Sequence, residues 1–320
     1  MIVSERPHPL SRQCGVALIT VLLVFAVVAV IAAEMLRRSQ LNVRSVGNLI
    51  ESRQAYYYAL GGEALARQVL ALDASNGRGR DSLDEAWAKV AEQAPFEIDG
   101  GAIKVEIFDL QGRFNLNSLV DGQGVPVEGI ALPRLKQLFA VLGVDARLAD
   151  QWRDWVDRDQ MPQPSGAEDA SYPNYKTAGG PEADISSLRL LRDMQPEAFD
   201  KIAPHVAVLP PDALININTA DATVLRALAP IIAARASQIL ARQQQGGYAD
   251  LGELTSILGE GADVTGLAVN SSYFEVITTV QYLDRLQRLR SVLKRDQNSG
   301  AISVLSRSRT PLAISAPTDS

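Results

Sequence analysis

Residues 16–33 read VALITVLLVFAVVAVIAA, a stretch with no charge in which Thr20 is the one polar side chain. As a helix rising 1.5 Å per residue it reaches about 27 Å, close to the roughly 30 Å hydrocarbon thickness of a bilayer. No face of it is polar, which argues against a core helix of a soluble domain. Arg6 and Arg12 precede it, and basic residues there favour a cytoplasmic N-terminus with the remainder carried across. A cleavable export signal shares this basic start, and the small residues of Ala29–Ala33 would suit its exit. The apolar core of such a signal, however, usually spans only about 7–15 residues.

The pattern continues past the membrane boundary. After Glu34, the residues Leu36, Val43, Val46, Leu49, Ile50, Tyr57, Leu60, Ala64, Val69 and Leu72 recur at threes, fours and sevens, the spacing of one helical stripe. No proline interrupts Val16 to Leu72, and Gly61-Gly62 is the single weak point, at about 1 kcal/mol per glycine relative to alanine. One helix of more than fifty residues is expected, apolar all round in its first third and amphipathic afterwards. A stripe of that length must be buried against something, so Glu34–Leu72 is a candidate partner surface.

The chain has 320 residues, with 31 Lys and Arg against 37 Asp and Glu, a formal charge of −6. An apolar share of 47% excludes wholesale disorder, and the acidic balance argues against a partner such as nucleic acid, bound by neutralising many phosphates. One cysteine, Cys14, allows no internal disulfide, and with His8 and His205 it cannot complete a structural zinc site.

Downstream, Asn76–Arg80 has loop composition, Asp84–Ala94 suggests a short helix, and Ile103–Ile107 alternates as a strand. Asp109–Gly112 has turn composition and Phe114–Asn117 alternates again. Helical periods follow from Leu132 to Leu209, broken by a Pro/Gly/Asp-rich loop at Asp157–Pro181, and return over residues 214–258. Tyr273–Tyr282, Leu286–Lys294 and Ala301–Ser306 are rich in strand formers, and the polar tail from Arg307 is expected to be unstructured. Strands on either side of a helical block imply one α+β domain interrupted by an all-helical insertion.

Two segments carry possible chemistry. In RDWVDRDQMPQPSGAED, the carboxylates Asp154, Asp157, Asp159, Glu168 and Asp169 gather on one loop. Hard cations such as Ca²⁺ take six to eight oxygens, and such a loop can supply them, although a merely solvated loop has the same composition. Met161 and Pro162 stand where an EF-hand needs Asp or Asn and then Gly, so that motif is excluded. The segment 217–254 resembles the helix-hairpin-helix DNA-binding module, with Thr219 as the expected N-cap. In place of that module's glycines stands Ala229-Pro230-Ile231-Ile232-Ala233, whose bulk would keep a phosphate away, so the scaffold is read as packing. Enzymatic readings are weak: there is no G-x-S-x-G, P-loop or G-x-G-x-x-G, and outside residues 1–15 the sole imidazole is His205. Trp152, Trp155 and Tyr56–Tyr58 have the spacing of helix packing, with recognition surfaces as the alternative.

A basic leader ending in Gly15, followed at once by an apolar run that becomes an amphipathic helix, resembles a type IV prepilin. The resemblance implies that a prepilin peptidase cuts between Gly15 and Val16 and that Val16 becomes the N-methylated first residue. Gln13 and Cys14 depart from the usual basic residue beside that glycine. Loss of residues 1–15 removes Arg6, Arg12 and Glu5, making the chain one charge more negative. Thr20 then occupies the fifth position, where most pilins place a glutamate that neutralises the N-terminus of the subunit above; a subunit lacking it suits the outermost place in a filament. Thr20 also reads as a tolerated polar residue in an anchor.

Length, the missing glutamate, GRFNLNSL (Gly112–Leu119) and ININ (Ile215–Asn218) together are similar to the K-type minor pseudopilins of type II secretion systems. That resemblance implies a pilin-like long helix on an antiparallel sheet with a large inserted all-α domain of helix-hairpin-helix (SAM-like) type. The implied division is a leader at 1–15, a membrane part at 16–33, pilin-like segments at 34–120 and 271–306, the insertion at 121–270, and a disordered tail at 307–320. It implies calcium bound through a D-x-D…GAED-like segment, matched here by Asp157, Asp159, Glu168 and Asp169, with Asp154 as a further candidate. It also implies a non-enzymatic filament-tip subunit in the inner membrane with its bulk in the periplasm. Its partners would be the I- and J-type minor pseudopilins, the major pseudopilin filament and the prepilin peptidase. The other reading of the anchor is a membrane-held periplasmic binding protein or hydrolase.

Overall fold

Helix α1 runs without a break from Cys14 to Ser75, so neither the β-branched residues of the apolar run nor the paired glycines interrupt it. Valine and isoleucine are poor helix formers in water, but in lipid every backbone amide must find an internal partner, and a helix provides it. The structure is a computed structural model that describes residues 14–75, 79–259 and 261–309. The chain divides between Gln54 and Ala55 into two compact units. In the first, the apolar side chains from Leu18 to Ile50 are exposed. Glu34, the first charged residue after the apolar run, is held by Arg37 and Arg38 of the same helix at 2.8 Å each.

The second unit begins inside α1 and contains a five-stranded sheet. Its strands are β1 (Phe96–Ile98), β2 (Gly101–Asp109), β7 (Tyr273–Tyr282), β8 (Arg285–Arg295) and β9 (Ile302–Ser308), antiparallel and in the order β1-β2-β7-β8-β9. Neighbours β2 and β7 pair from Gly101↔Tyr282 to Asp109↔Phe274, although residues 110–272 separate them in sequence. β9 extends through Ser308, so the expected polar tail starts later than Arg307; residues 310–320 lie outside the described ones.

From Ala55 onward, the face of α1 turned to the sheet differs from the expected stripe. Ala55, Ala59, Ala66 and Leu70 are buried, whereas Tyr57 is 64% exposed and Leu72 55% exposed. Small residues win because the helix lies close to the strands. A Cβ on Gly62 would fall 2.5 Å from Thr278 Cγ2 and 3.1 Å from Val105 Cγ2. Trp87 closes one end of this layer, edge-on to Phe274 with ring centroids 5.3 Å apart. Ala88–Glu92 is a 3-10 turn where Asp84–Ala94 suggested a helix.

Residues 110–272 carry the other elements in chain order: β3 (Phe114–Asn115), α2 (Ala131–Val141), α3 (Arg147–Val156), α4 (Pro196–Ile202), β4 (Val206–Ala207), β5 (Ile215–Asn216), α5 (Ala222–Leu228), α6 (Pro230–Ala234), α7 (Ala236–Gln243), α8 (Leu251–Leu258) and β6 (Leu267–Ala268). Two short parallel pairs, β3 with β4 and β5 with β6, stitch the helices. Phe114–Asn117 therefore adds nothing to the main sheet. Its alternation arises because Phe114 and Leu116 enter the helical core while the asparagines staple loops. Asn115 donates to Pro210 O at 2.8 Å, and Asn117 donates to Leu209 O and Glu182 O at 2.9 Å each. Trp152 and Trp155 are both core residues, and Trp152 Nε1 donates to Leu116 O at 3.0 Å. The N-cap of α5 is Asp221, which accepts from Val224 N, and not Thr219. Thr219 instead donates to Asp109 Oδ2 at 2.6 Å. His205 Nδ1 lies 2.6 Å from Asp221 Oδ2, so the imidazole supports that cap.

Candidate metal centre

The acidic loop begins on α3, a helix so immersed that Leu148 to Val156 are all buried. Asp154 sits on its last turn and Asp157 is its C-cap, which places their carboxylates one turn apart on the same side. The chain then loops outward through Arg158–Gln163 and returns, bringing Glu168 back to the pair. Asp154, Asp157 and Glu168 are all buried, and each offers an oxygen within 4.8 Å of the others.

The local fold makes room for these oxygens. Gln163 N donates to both oxygens of Asp154 at 3.1 Å. Gly166 passes so close that a Cβ there would meet Asp154 Oδ2 at 1.7 Å. Asp157 Oδ1 and both oxygens of Glu168 are buried without a hydrogen-bond partner. The cation nearest Asp157 is Arg153, whose Nε stands 3.7 Å away while its Nη2 engages Glu128 at 2.9 Å. Burial raises all three carboxyls, and their mutual repulsion with Asp159 adds to it: Asp154 to about 6, Asp157 to about 7 and Glu168 to about 8. Buried acceptors with no donor are costly, and an oxygen-only set of this kind fits a hard divalent cation.

Of the sequence candidates, Asp159 and Asp169 fall outside this group of three. Asp159 accepts from Met161 N at 2.8 Å in the outgoing loop and contributes its charge to the site. Asp169 accepts from Thr177 N and Oγ1 at 2.9 Å each, which holds its carboxyl below the usual range. Asp154, the marginal candidate in the sequence, is the most enclosed of the three. A second acidic group, Asp73, Asp81 and Glu85, was missed in the sequence although its members lie within thirteen residues, because Asp73 belongs to the long helix and the other two to a polar stretch after it. Arg295 occupies that one, with Nη1 3.1 Å from Asp73 and Nη2 against Asp81. One cluster thus has a cation seated in it, whereas among the described residues the loop cluster has only Arg153 at its edge.

Gly15 and Val16 lie in the first turn of α1, and residues 1–13 of the expected leader are outside the described residues. Thr20 donates to Ala17 O at 2.9 Å. By length and composition α1 is able to cross a membrane.

Comparison with known proteins gives these features a family. Two family profiles described as type II secretion system protein K match residues 112–211 and 215–276. A type II secretion system protein K of Pseudomonas aeruginosa is 40% identical over 313 residues, covering 92% of each chain. That of Aeromonas hydrophila is 32% identical, covering 90% of this chain and 95% of its own. Among solved structures, a chain of the GspK–GspI–GspJ complex from the enterotoxigenic Escherichia coli type 2 secretion system superposes with a TM-score of 0.67 at 26% identity, covering 82% of this chain and 97% of that one. The helix-on-sheet frame, the helical insertion and the sequence matches agree: this chain belongs to the type II secretion system protein K family.

Proposed function

We propose that this minor pseudopilin stands at the tip of the secretion pseudopilus, where it starts or caps the filament that moves folded proteins across the outer membrane. The observation that carries the reading is the insertion of residues 110–272 between two paired strands, β2 and β7. A block of that size at one end of the sheet would obstruct addition of a further subunit. Thr20 fits the same position, because a subunit with nothing above it has no N-terminus to neutralise. The apolar helix would hold the chain in the inner membrane, with its N-terminus cytoplasmic and its bulk periplasmic. After cleavage between Gly15 and Val16 by the prepilin peptidase and methylation of Val16, the helix would pack beside those of its neighbours.

The likeness to one chain of a complex that also contains GspI and GspJ supports the I- and J-type minor pseudopilins as direct partners, with the major pseudopilin below them. The exposed apolar residues Leu41, Val43, Val46 and Leu49 are the surface offered to those helices. Calcium would be held by Asp154, Asp157 and Glu168, with Asp159 at the rim, and would fix a long loop that has little core of its own.

N-terminal sequencing of protein extracted from membranes tests the processing step. A methylated Val16 is expected, and an intact Met1 or a start near Glu34 would overturn it. Photo-crosslinkers placed at Val43 and Val46 test the position: capture of the I- and J-type chains is expected, and capture of the major pseudopilin alone would refute the tip assignment.

A further inference from the structure

Arg134, on the first turn and a half of α2, is 6% exposed, yet no carboxylate among the described residues lies within ion-pair distance of it. Two carbonyls hold its guanidinium, Leu228 O at Nε and Thr265 O at Nη1, both at 2.9 Å. Among the described residues Nη2 has no partner. The nearest acid by charge, Asp263, turns its carboxylate to Thr265 N at 2.9 Å. Two carbonyl dipoles and the more distant charge of Asp263 compensate this cation only in part.

This arginine lies where two clefts meet. One, of about 510 Å³, runs past Leu228 and Pro230 and carries the exposed Arg226 on its wall. The other, of about 370 Å³, runs past Val127, Leu214 and Ile215. Gly129, Ile130, Arg134 and Asp263 line both, so the two form one groove bent around Arg134. The N-terminus of α2 opens on the same junction, with no side chain capping it and no acidic residue in its first turn. Helix dipole and guanidinium thus favour negative charge at one point.

We propose that this groove binds an extended polypeptide segment that presents an aspartate or glutamate side chain to Arg134, between two apolar neighbours. Two arms leaving one cation favour a carboxylate in mid-chain. A chain end or a small carboxylate would fill one arm and leave the other apolar arm in water. Arg226 adds a second positive charge on one arm; on the other, Glu128 is engaged by Arg153 and Asp212 is exposed at the wall, so the attraction for an acid is confined to the Arg134 end of the groove. The site lies outside the metal loop and does not depend on it.

The test uses the full chain in detergent micelles and a fluorescent heptapeptide, capped at both ends, with a central glutamate flanked by leucine and valine. A glutamine twin matches it in size and apolar flanks, and protein-free micelles give the partition background of each probe. A second twin has the glutamine centre and a free C-terminal carboxylate. Fluorescence polarisation should show saturable binding of the glutamate probe, with the glutamine twin weaker by about tenfold, the worth of one charge-assisted contact. Arg134→Gln should level the two probes. Because that change also unpairs two carbonyls, the surface variants Arg226→Glu and Leu214→Asp serve beside it, and each should weaken the glutamate probe. Equal binding of the capped twins, preference for the free C-terminus, or no saturation by any probe would overturn the proposal.

Discussion

The sharpest consequence of the acidic triad is that removing one of its charges should stabilise the metal-free protein while abolishing its response to calcium. Consider Asp157→Asn. Burial and the charges of Asp159 and Asp154 raise the Asp157 carboxyl from 3.8 to about 7. At about 1.4 kcal/mol per pKa unit this corresponds to about 4 kcal/mol. The covering loop bears exposed residues such as Arg158 and Gln160, and screening by water there brings it to about 2 kcal/mol. A carboxyl whose folded-state pKa is raised binds protons more readily in the folded protein. Stability without metal is therefore full below the ordinary carboxylate pKa and is lost as the pH climbs through about 7 at Asp157 and about 8 at Glu168. Calcium should reverse the loss, adding about 2.7 kcal/mol at a hundredfold excess over its dissociation constant. For a folded unit of this size that is roughly 5–10 °C in Tm. The assay is thermal unfolding of the full chain in detergent, followed by tryptophan fluorescence, from pH 5 to 9 with chelator or with calcium. In chelator Tm should fall from pH 5 to 9, and calcium should flatten and lift the curve. The Asp157→Asn variant should show a higher Tm than wild type in chelator at pH 8 and no calcium increment. Superimposable wild-type curves with and without calcium would refute the reasoning, as would a substitution that lowers Tm in chelator.

Three further changes follow from particular contacts. Gly166→Ala drives a Cβ onto Asp154 Oδ2, so it should lose the calcium-dependent rise in Tm even though no carboxylate is removed. Gly62→Val forces α1 away from Thr278 and Val105 and should lower Tm by an amount equivalent to about 1–3 kcal/mol, whereas Gly61→Ala, with open space beside it, should be neutral or stabilising. Arg295→Met strips the cation from Asp73 and Asp81 and should cost about 3–5 kcal/mol by chemical unfolding. Calcium should partly restore stability in Arg295→Met, since the change turns an ion-paired cluster into one resembling the loop triad.

The long helix and the three C-terminal strands were legible because each is a local pattern: an unbroken apolar run and alternating strand formers bounded by turns. The face that α1 turns to the sheet was not. Period-3.6 reading rewards large apolar residues, so it selected Tyr57 and Leu72, but helix–sheet distance rewards small ones, so Ala55, Ala59, Gly62 and Ala66 are buried. Phe114–Asn117 misled for a related reason, since alternation of apolar and amide residues fits a strand and also a loop stapled by buried asparagines. At the acidic loop the sequence marked the segment but could not rank its carboxylates. Whether Asp154 or Asp169 joins Asp157 depends on the return path of the chain and on Thr177, which already engages Asp169.

How the insertion is joined to the sheet bears on the proposed capping role. Asp109, the last residue of β2, accepts from Gln111 N at 2.8 Å, Ser271 Oγ and Thr219 Oγ1 at 2.6 Å each, and Asn216 Nδ2 at 3.0 Å. Those donors come from the first turn of the insertion, its middle and its last residues, so one buried carboxylate ties the strand's exit to the chain's return. Asn216 also donates to Asp81 O at 3.0 Å, and Arg295 of β8 reaches Asp81 from the other side. A polar network buried this deeply is stable only when every member is satisfied, and it then fixes a single arrangement. The ININ segment is thus the fastener between the two halves of this unit. In the proposed tip position, an insertion fastened in this way would resist an incoming subunit, which one hanging from two free linkers could not do.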